Sequence, residues 1–295
     1  SVDTYTGVPG GSATVNSGID LSGSNEGMVW VKNRYASSLP LVYDTIRGGG
    51  NAIYPDRNSS QGSDSDGPQT FTNTGYTTGS APASSHISWT FKSTPGFFDI
   101  VTYTGNNTSG RQIAHNLGSV PGCVLVKRLS GNSHWAMYHR GVNGGSNPEQ
   151  YWMTLNETYA QQQQPHWNNT APTSTHFTVG NDYEINGPSS QTYVAYIFAH
   201  DEAIFGNKGN NSVIKCGNYT GNGQGGAGPV INLGWEPQWL LIKRTNSNED
   251  WMVFDHMRTS NRQDMYLDDY RVNNSNGDGD GAGSDSQPYL KWTST

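Results

Sequence analysis

The residues of this chain best spaced for chemistry are aspartates in two acidic loops. Residues 62–67 read GSDSDG and residues 274–281 read NSNGDGDG. Asp64 and Asp66 in the first loop, with Asp278, Asp280 and Asp285 in and just after the second, set hard carboxylate oxygens on turn-forming backbone. That is the donor set Ca²⁺ takes. Counted from Asn274, the positions of Asn276, Asp278, Gly279 and Asp285 approximate an EF-hand loop, but no helical pattern flanks them. A glutamine run, Gln161 to Gln164, stands at the corresponding place of a related segment, so the fold itself does not need metal there. A solvated turn accounts for the same residues. Ca²⁺ at these loops is the one cofactor the sequence suggests, and otherwise none is expected.

Other chemistries find less support. Eight histidines are present without a His-Glu-x-x-His, paired-Cys or Gly-x-Ser-x-Gly pattern. The related segments place Asp255 where His139 stands and Ile231 where His115 stands, so a shared catalytic histidine is not expected. No carboxylate pair recurs as a glycosidase acid and nucleophile would, and an enzyme is not expected. Lys127-Arg128 and Lys243-Arg244 do recur, with Lys32 in an earlier copy. They read as strand ends whose aliphatic stems cover Trp135 or Trp251 while the charge reaches water, in preference to anion contacts. Trp135 and Trp251 occupy one shared position and are expected in the core. Trp152, Trp167 and Trp235 are not shared as Trp, which leaves them free to stack on sugar rings or to pack between segments. Cys123 and Cys216 sit at non-equivalent positions and read as two buried free thiols.

The elements that must position these residues come from a repeat. Residues 103–138 read YTGNNTSGRQIAHNLGSVPGCVLVKRLSGNSHWAMY, and 219–254 read YTGNGQGGAGPVINLGWEPQWLLIKRTNSNEDWMVF. Tyr103 and Tyr219, Lys127 and Lys243, and Trp135 and Trp251 all stand 116 apart (219 − 103). A diverged copy opens the chain, where EGMVWVKNR (26–34) aligns with PGCVLVKRL (121–129) and ISWTF (87–91) with VAYIF (194–198). Three modules follow, at 1–99, 100–215 and 216–295, and such repeats outrank any residue-level fold argument. Each shows short runs rich in aromatic and β-branched residues, turn signals such as Pro121-Gly122, and no helical periodicity. The expected fold is all-β: tandem antiparallel β-sandwich modules of a jelly-roll-like kind. CVLVKRL (123–129) reads as a half-buried strand that turns back into HWAMYHR (134–140). The third module lacks a copy of TYVAYIFAH (192–200), so either the polypeptide continues past Thr295 or a neighbouring subunit donates the strand. Small cores imply that neighbouring modules share apolar surface or that the chain oligomerises.

Composition agrees with many turns and little helix. The chain has 295 residues, 37 of them Gly, and 14% charged residues against a typical ~25%. Nine Trp, sixteen Tyr and eight Phe argue against disorder. A formal charge of −7 argues against a nucleic-acid partner, and no apolar run approaches a membrane span.

From Trp89 to Arg128, WTFKSTPGFFDIVTYTGNNTSGRQIAHNLGSVPGCVLVKR, then through HWAMYHRG and FTVG…TYVAYIFAHD, the chain resembles an uncharacterised tandem-repeat domain. That domain occurs in tail-fibre and other virion structural proteins of marine tailed phages, cyanophages in particular. The likeness is close over most of 87–258 and looser elsewhere, and the first module departs most because it lacks the Asn-Leu-Gly-x-x-Pro turn. It implies a structural protein on the virion exterior, most simply a tail fibre or appendage that attaches to host-surface glycans. Expected partners are other virion proteins and copies of the chain itself, in a trimer or higher assembly. A capsid-surface decoration protein or head fibre, and a secreted adhesin or carbohydrate-binding protein, are the competing readings.

Overall fold

The computed structural model of the chain describes residues 1–34, 38–224 and 228–257, with the backbone of residues 265–266. Every strand pairing in it is antiparallel. The first module holds β1 (Val2–Thr6), β2 (Thr14–Asn16), β3 (Gly27–Asn33), β4 (Leu41–Asp44), β5 (Asn51–Ala52) and β6 (Gly62–Ser63). It continues with β7 (Pro68–Thr72), β8 (Gly75–Thr78) and β9 (Ser85–Lys92). The second holds β10 (Phe98–Thr104), β11 (Arg111–Ala114), β12 (Cys123–Arg128), β13 (Ala136–His139), β14 (Tyr151–Thr154), β15 (Gln162–Gln163), β16 (His176–Val179) and β17 (Thr192–Phe198). A four-residue helix, α1 (Tyr183–Asn186), precedes β17. The third shows β18 (Trp239–Ile242), β19 (Met252–Asp255) and β20 (Met265–Tyr266). The break between the first two modules lies between Lys92 and Phe98, so β10 straddles the expected boundary at 99/100.

Each of the first two modules is a sandwich of a larger inner sheet and a smaller outer one. The inner sheets run β1-β9-β3-β4 and β10-β17-β12-β13-β14-β15, and the outer ones are β2-β8-β7 and β11-β16. In both, the strand latest in sequence (β9, β17) lies between the first strand and the Lys-bearing strand. The expected hairpin from β12 into β13 is present, with Cys123 opposite His139.

The inner sheets are covered on both faces, which changes how their strands read. Along β12, Cys123 and Leu125 join one core while Val124 and Val126 join another. Along β17, Val194, Tyr196 and Phe198 face the first core, and Tyr193, Ala195 and Ile197 face the second. Strand β3 divides in the same way, Met28 and Trp30 against Val29 and Val31. The expectation of a half-buried strand at 123–129 is therefore corrected, because every residue of β12 is buried. Strands buried on both faces carry continuous apolar runs, where half-exposed strands would alternate. The core common to these inner faces also takes in Trp251 and Val253 of the third module, with Trp239 and Leu241 packed against it. The three modules thus share one central core, as small module size predicts, and each large side chain there contributes roughly 1.5–3 kcal/mol. Among the described residues, no helix is long and apolar enough to cross a membrane.

Candidate functional site: the joints between modules

The recurring lysine and tryptophan form inter-module joints. In each module the lysine lies on the first strand of the hairpin and its ammonium reaches a carbonyl of its own hairpin. Lys32 donates to Ser38, Lys127 to Ser133 at 2.6 Å and Lys243 to Glu249. Lys127 then reaches across to Asn58 O of the first module at 3.2 Å, and Lys243 across to Thr158 O of the second at 2.8 Å. The tryptophans do the same. Trp135 Nε1 donates to Tyr54 O at 2.7 Å and Trp251 Nε1 to Thr154 O at 3.0 Å.

Three further bonds repeat beside them. Gln61 N and Gln161 N donate to Leu129 O and Thr245 O, at 3.1 and 2.8 Å. Ser133 N and Glu249 N donate to Asn58 O and Thr158 O, at 2.8 and 2.9 Å. Ser60 N and Ala160 N donate to Asn132 Oδ1 and Asn248 Oδ1, at 3.2 and 3.0 Å. On the hairpin side the partners stand 116 apart (251 − 135), and on the receiving loop 100 apart (154 − 54). One joint has been built twice.

A second kind of contact closes the set into a ring. Tyr196 on β17 donates to Asp44 Oδ2 of the first module at 2.6 Å, where Arg47 pairs with the same buried carboxylate and also donates to the Tyr196 hydroxyl at 3.2 Å. Trp89 on β9, in the position of Tyr196, donates to Asp255 Oδ2 of the third module at 3.2 Å. Asp44 and Asp255 are equivalent hairpin positions. The second module therefore docks on the first, the third on the second and the first on the third, all in one cyclic sense. Trp239 packs on Trp30 and Phe91 of the first module, at ring-centroid distances of 6.5 and 5.5 Å. The Lys/Trp joint links the second module to the first and the third to the second, and the aromatic-to-aspartate contact links the second to the first and the first to the third. Two kinds of heterologous contact together close a ring around the common core.

The third position of the ring differs in its inner sheet. Among the described residues β18 pairs only with β19, whereas β3 and β12 each have a central strand on their other side. Residues 217–220, which correspond to the β10 segment, form no strand, and Tyr219 is exposed. A cavity of about 2010 Å³ opens between these segments, lined by Trp30, Trp89, Phe91, Trp239 and Leu241 among others. That exceeds the ~300–1,000 Å³ of ordinary small-molecule sites.

Joint formation sets the electrostatics of the lysine. Burial pushes the Lys127 ammonium down to about 7, the neighbouring Arg128 charge adds to the effect, and Glu184 opposes it. Lys127 and Arg128 are buried, with the Arg128 guanidinium 4.1 Å above the Tyr183 ring. The expectation that these charges reach water is corrected for Lys32, Lys127 and Arg128, which are buried, while Lys243 is half-buried and Arg244 exposed. Lys243 does lie over the Trp251 ring, at 6.0 Å. Trp135 and Trp251 are core residues as expected, and Cys123 and Cys216 are buried free thiols in the shared core.

The other sequence-stated candidates do not converge. Asp64 Oδ2 accepts from Tyr43 Oη at 2.6 Å and Gly67 N at 2.7 Å, which uses the carboxylate to build its turn. Asp66 is exposed, and no third side chain joins the two within metal-ligand distance among the described residues. Asp278, Asp280 and Asp285 lie outside the described residues. Trp152 and Trp167 are buried in the second module's own core, so neither offers a ring face to a sugar: His166 stacks on Trp152, and Phe177 of the outer sheet packs edge-on against Trp167. Trp235 is half-buried at the edge of the large cavity.

One cluster that sequence reasoning missed does assemble. His166, Asp182 and Glu184 bring one ligand atom each to within 4.8 Å of one another. Hydrogen bonding to Asp182, then burial, pushes the Glu184 carboxyl up to about 7. No motif spacing flags it, since a 15-residue gap separates His166 from Asp182, and 116 positions beyond His166 the third module has Ala282.

A search among curated proteins finds no match, and neither does one among solved structures. A family model described as a domain of unknown function (DUF7483) matches residues 1–287, spanning all three modules. The chain belongs to the DUF7483 family.

Proposed function

We propose that the chain is a non-catalytic structural component of a tailed-phage virion, part of a tail fibre or other appendage that meets the host surface. The observation that carries this reading is the duplicated joint. Side chains that recur between modules are used to hold modules together: Lys127 and Lys243, Trp135 and Trp251, Asp44 and Asp255. Repetition of a residue is then explained by assembly, with no shared chemical site required. The phage setting rests on the sequence resemblance at 89–128. Attachment would work by avidity, through many weak glycan contacts made by a repeated array, with other virion proteins and further copies of the chain as partners. Trp235 is the one of the three tryptophan candidates placed to take part.

A capsid-surface decoration protein is a second reading, and ring closure favours it. A closed set of heterologous contacts ends an array, whereas an open set extends it. Immunogold microscopy of purified particles with antibody against residues 1–295 separates the readings. Label on distal fibres supports attachment, and label spread over the capsid supports decoration. Particles without label refute both and leave a secreted adhesin.

A further inference from the structure

The His166, Asp182 and Glu184 cluster belongs to the second module alone and takes no part in the joints. We propose that His166 Nε2 and the carboxylates of Asp182 and Glu184 form a site for one divalent transition-metal ion of the Zn²⁺ kind. His166 is the observation that points to a ligand. It is 3% exposed, and neither ring nitrogen has a hydrogen-bond partner. Buried polar atoms left unpaired are costly, and native structures nearly always satisfy them. The Nε2 atom lies 3.4 Å from Asp182 Oδ1. That separation is the edge of a tetrahedron with bonds of about 2.1 Å, the length of Zn–N and Zn–O bonds.

The ring is held in place. It stacks on Trp152 with centroids 4.0 Å apart and planes 12° from parallel. Its backbone carbonyl accepts from Gly180 N at 2.7 Å, which ties the His166 turn to the strand end leading to Asp182. Asp182 Oδ1 is fixed in turn by Glu184 N at 2.8 Å. One imidazole nitrogen and two carboxylates suit Zn²⁺, Co²⁺, Ni²⁺ or Mn²⁺, whereas Ca²⁺ prefers an all-oxygen set. The Asp182 side chain is 40% exposed, so an ion can enter and keep water in its remaining position. Bound there, the ion would clamp the 165–167 turn to the loop that carries α1.

Calorimetric titration of the full chain with Zn²⁺ tests this, together with the absorption spectrum of Co²⁺ added in its place. The expected result is one ion per chain and a tetrahedral Co²⁺ spectrum. His166→Gln is expected to abolish binding and Glu184→Gln to weaken it at least about tenfold, since each removes one of only three protein ligands. Glu184→Gln leaves the backbone N–H that bonds Asp182 in place, so it decides the matter if the His166 variant fails to fold. No Zn²⁺ binding up to millimolar concentration overturns the proposal. Equal binding by the wild type and Glu184→Gln also overturns it, because the ion would then sit on other histidines.

Discussion

Replacement of Trp135 by Phe tests whether the duplicated joint holds the ring together. The indole is 1% exposed, donates to Tyr54 O at 2.7 Å across the module boundary, and stacks on Tyr196 at 6.2 Å. Phenylalanine keeps an aromatic ring there but removes the indole donor, leaving the Tyr54 carbonyl with only the 3.4 Å bond from Arg57 N, a loss of about 1 kcal/mol. Loss of ring volume adds about 1–2 kcal/mol through the cavity left behind. The sum, about 2–3 kcal/mol, corresponds to a fall in Tm of about 4–12 °C for one cooperative unit. Trp152→Phe is the control. Trp152 is also buried, but its Nε1 has no hydrogen-bond partner, so only the volume loss of about 1–2 kcal/mol applies. Differential scanning calorimetry on wild type and both variants reads the difference. The joint reasoning fails if Trp135→Phe costs no more than Trp152→Phe. It also fails if the wild type melts in separate module-sized transitions, since modules that share a core should unfold together.

Two further outcomes follow from the joints and the cavity. Because the folded state holds Lys127 at about 7 against an ordinary 10.5, the unfolded chain binds the extra proton between these values, and stability gained from this group rises with pH across that window. The gain is present in full above pH 10.5, is lost as pH falls to 7, and is on the order of 5 kcal/mol, of which about 3 kcal/mol falls between pH 7 and pH 9.5. Urea titrations at pH 7 and pH 9.5 should show it in the wild type and lose it in Lys127→Met; parallel profiles would contradict the buried-lysine assignment. A synthetic peptide of residues 192–200 should pair with the side of β18 that holds no strand among the described residues, where its counterparts β3 and β12 each hold such a strand. Hydrogen exchange at residues 239–242 is expected to slow on peptide addition, and unchanged exchange would mean that β18 takes no strand of this kind.

Much of this protein was legible in the order of its residues. The 116-residue offset between Lys127 and Lys243, and between Trp135 and Trp251, marks the modules. Runs such as CVLVKR and TYVAYIF are short, branched and aromatic, so strand was the one element they could form. Trp135 and Trp251 were recognisable as core because a recurring large apolar side chain is needed wherever the fold recurs. The pattern could not say what the recurring lysine touches. Lys127 looked like a snorkelling strand end because its own hairpin gives it one carbonyl, at Ser133; the second, at Asn58, lies 69 positions away in another module. The same limit applies to Trp152 and Trp167, which differ from surface tryptophans only in the His166 and Phe177 rings laid against them. It applies to His166, Asp182 and Glu184 as well, which meet only when two loops are brought to one end of the second core. Local pattern determined the strands and the turns, because these depend on side-chain period and backbone preference. Closure of the ring, burial of the lysine and assembly of the histidine cluster were decided by tertiary structure, because each depends on a partner supplied from a distant part of the chain.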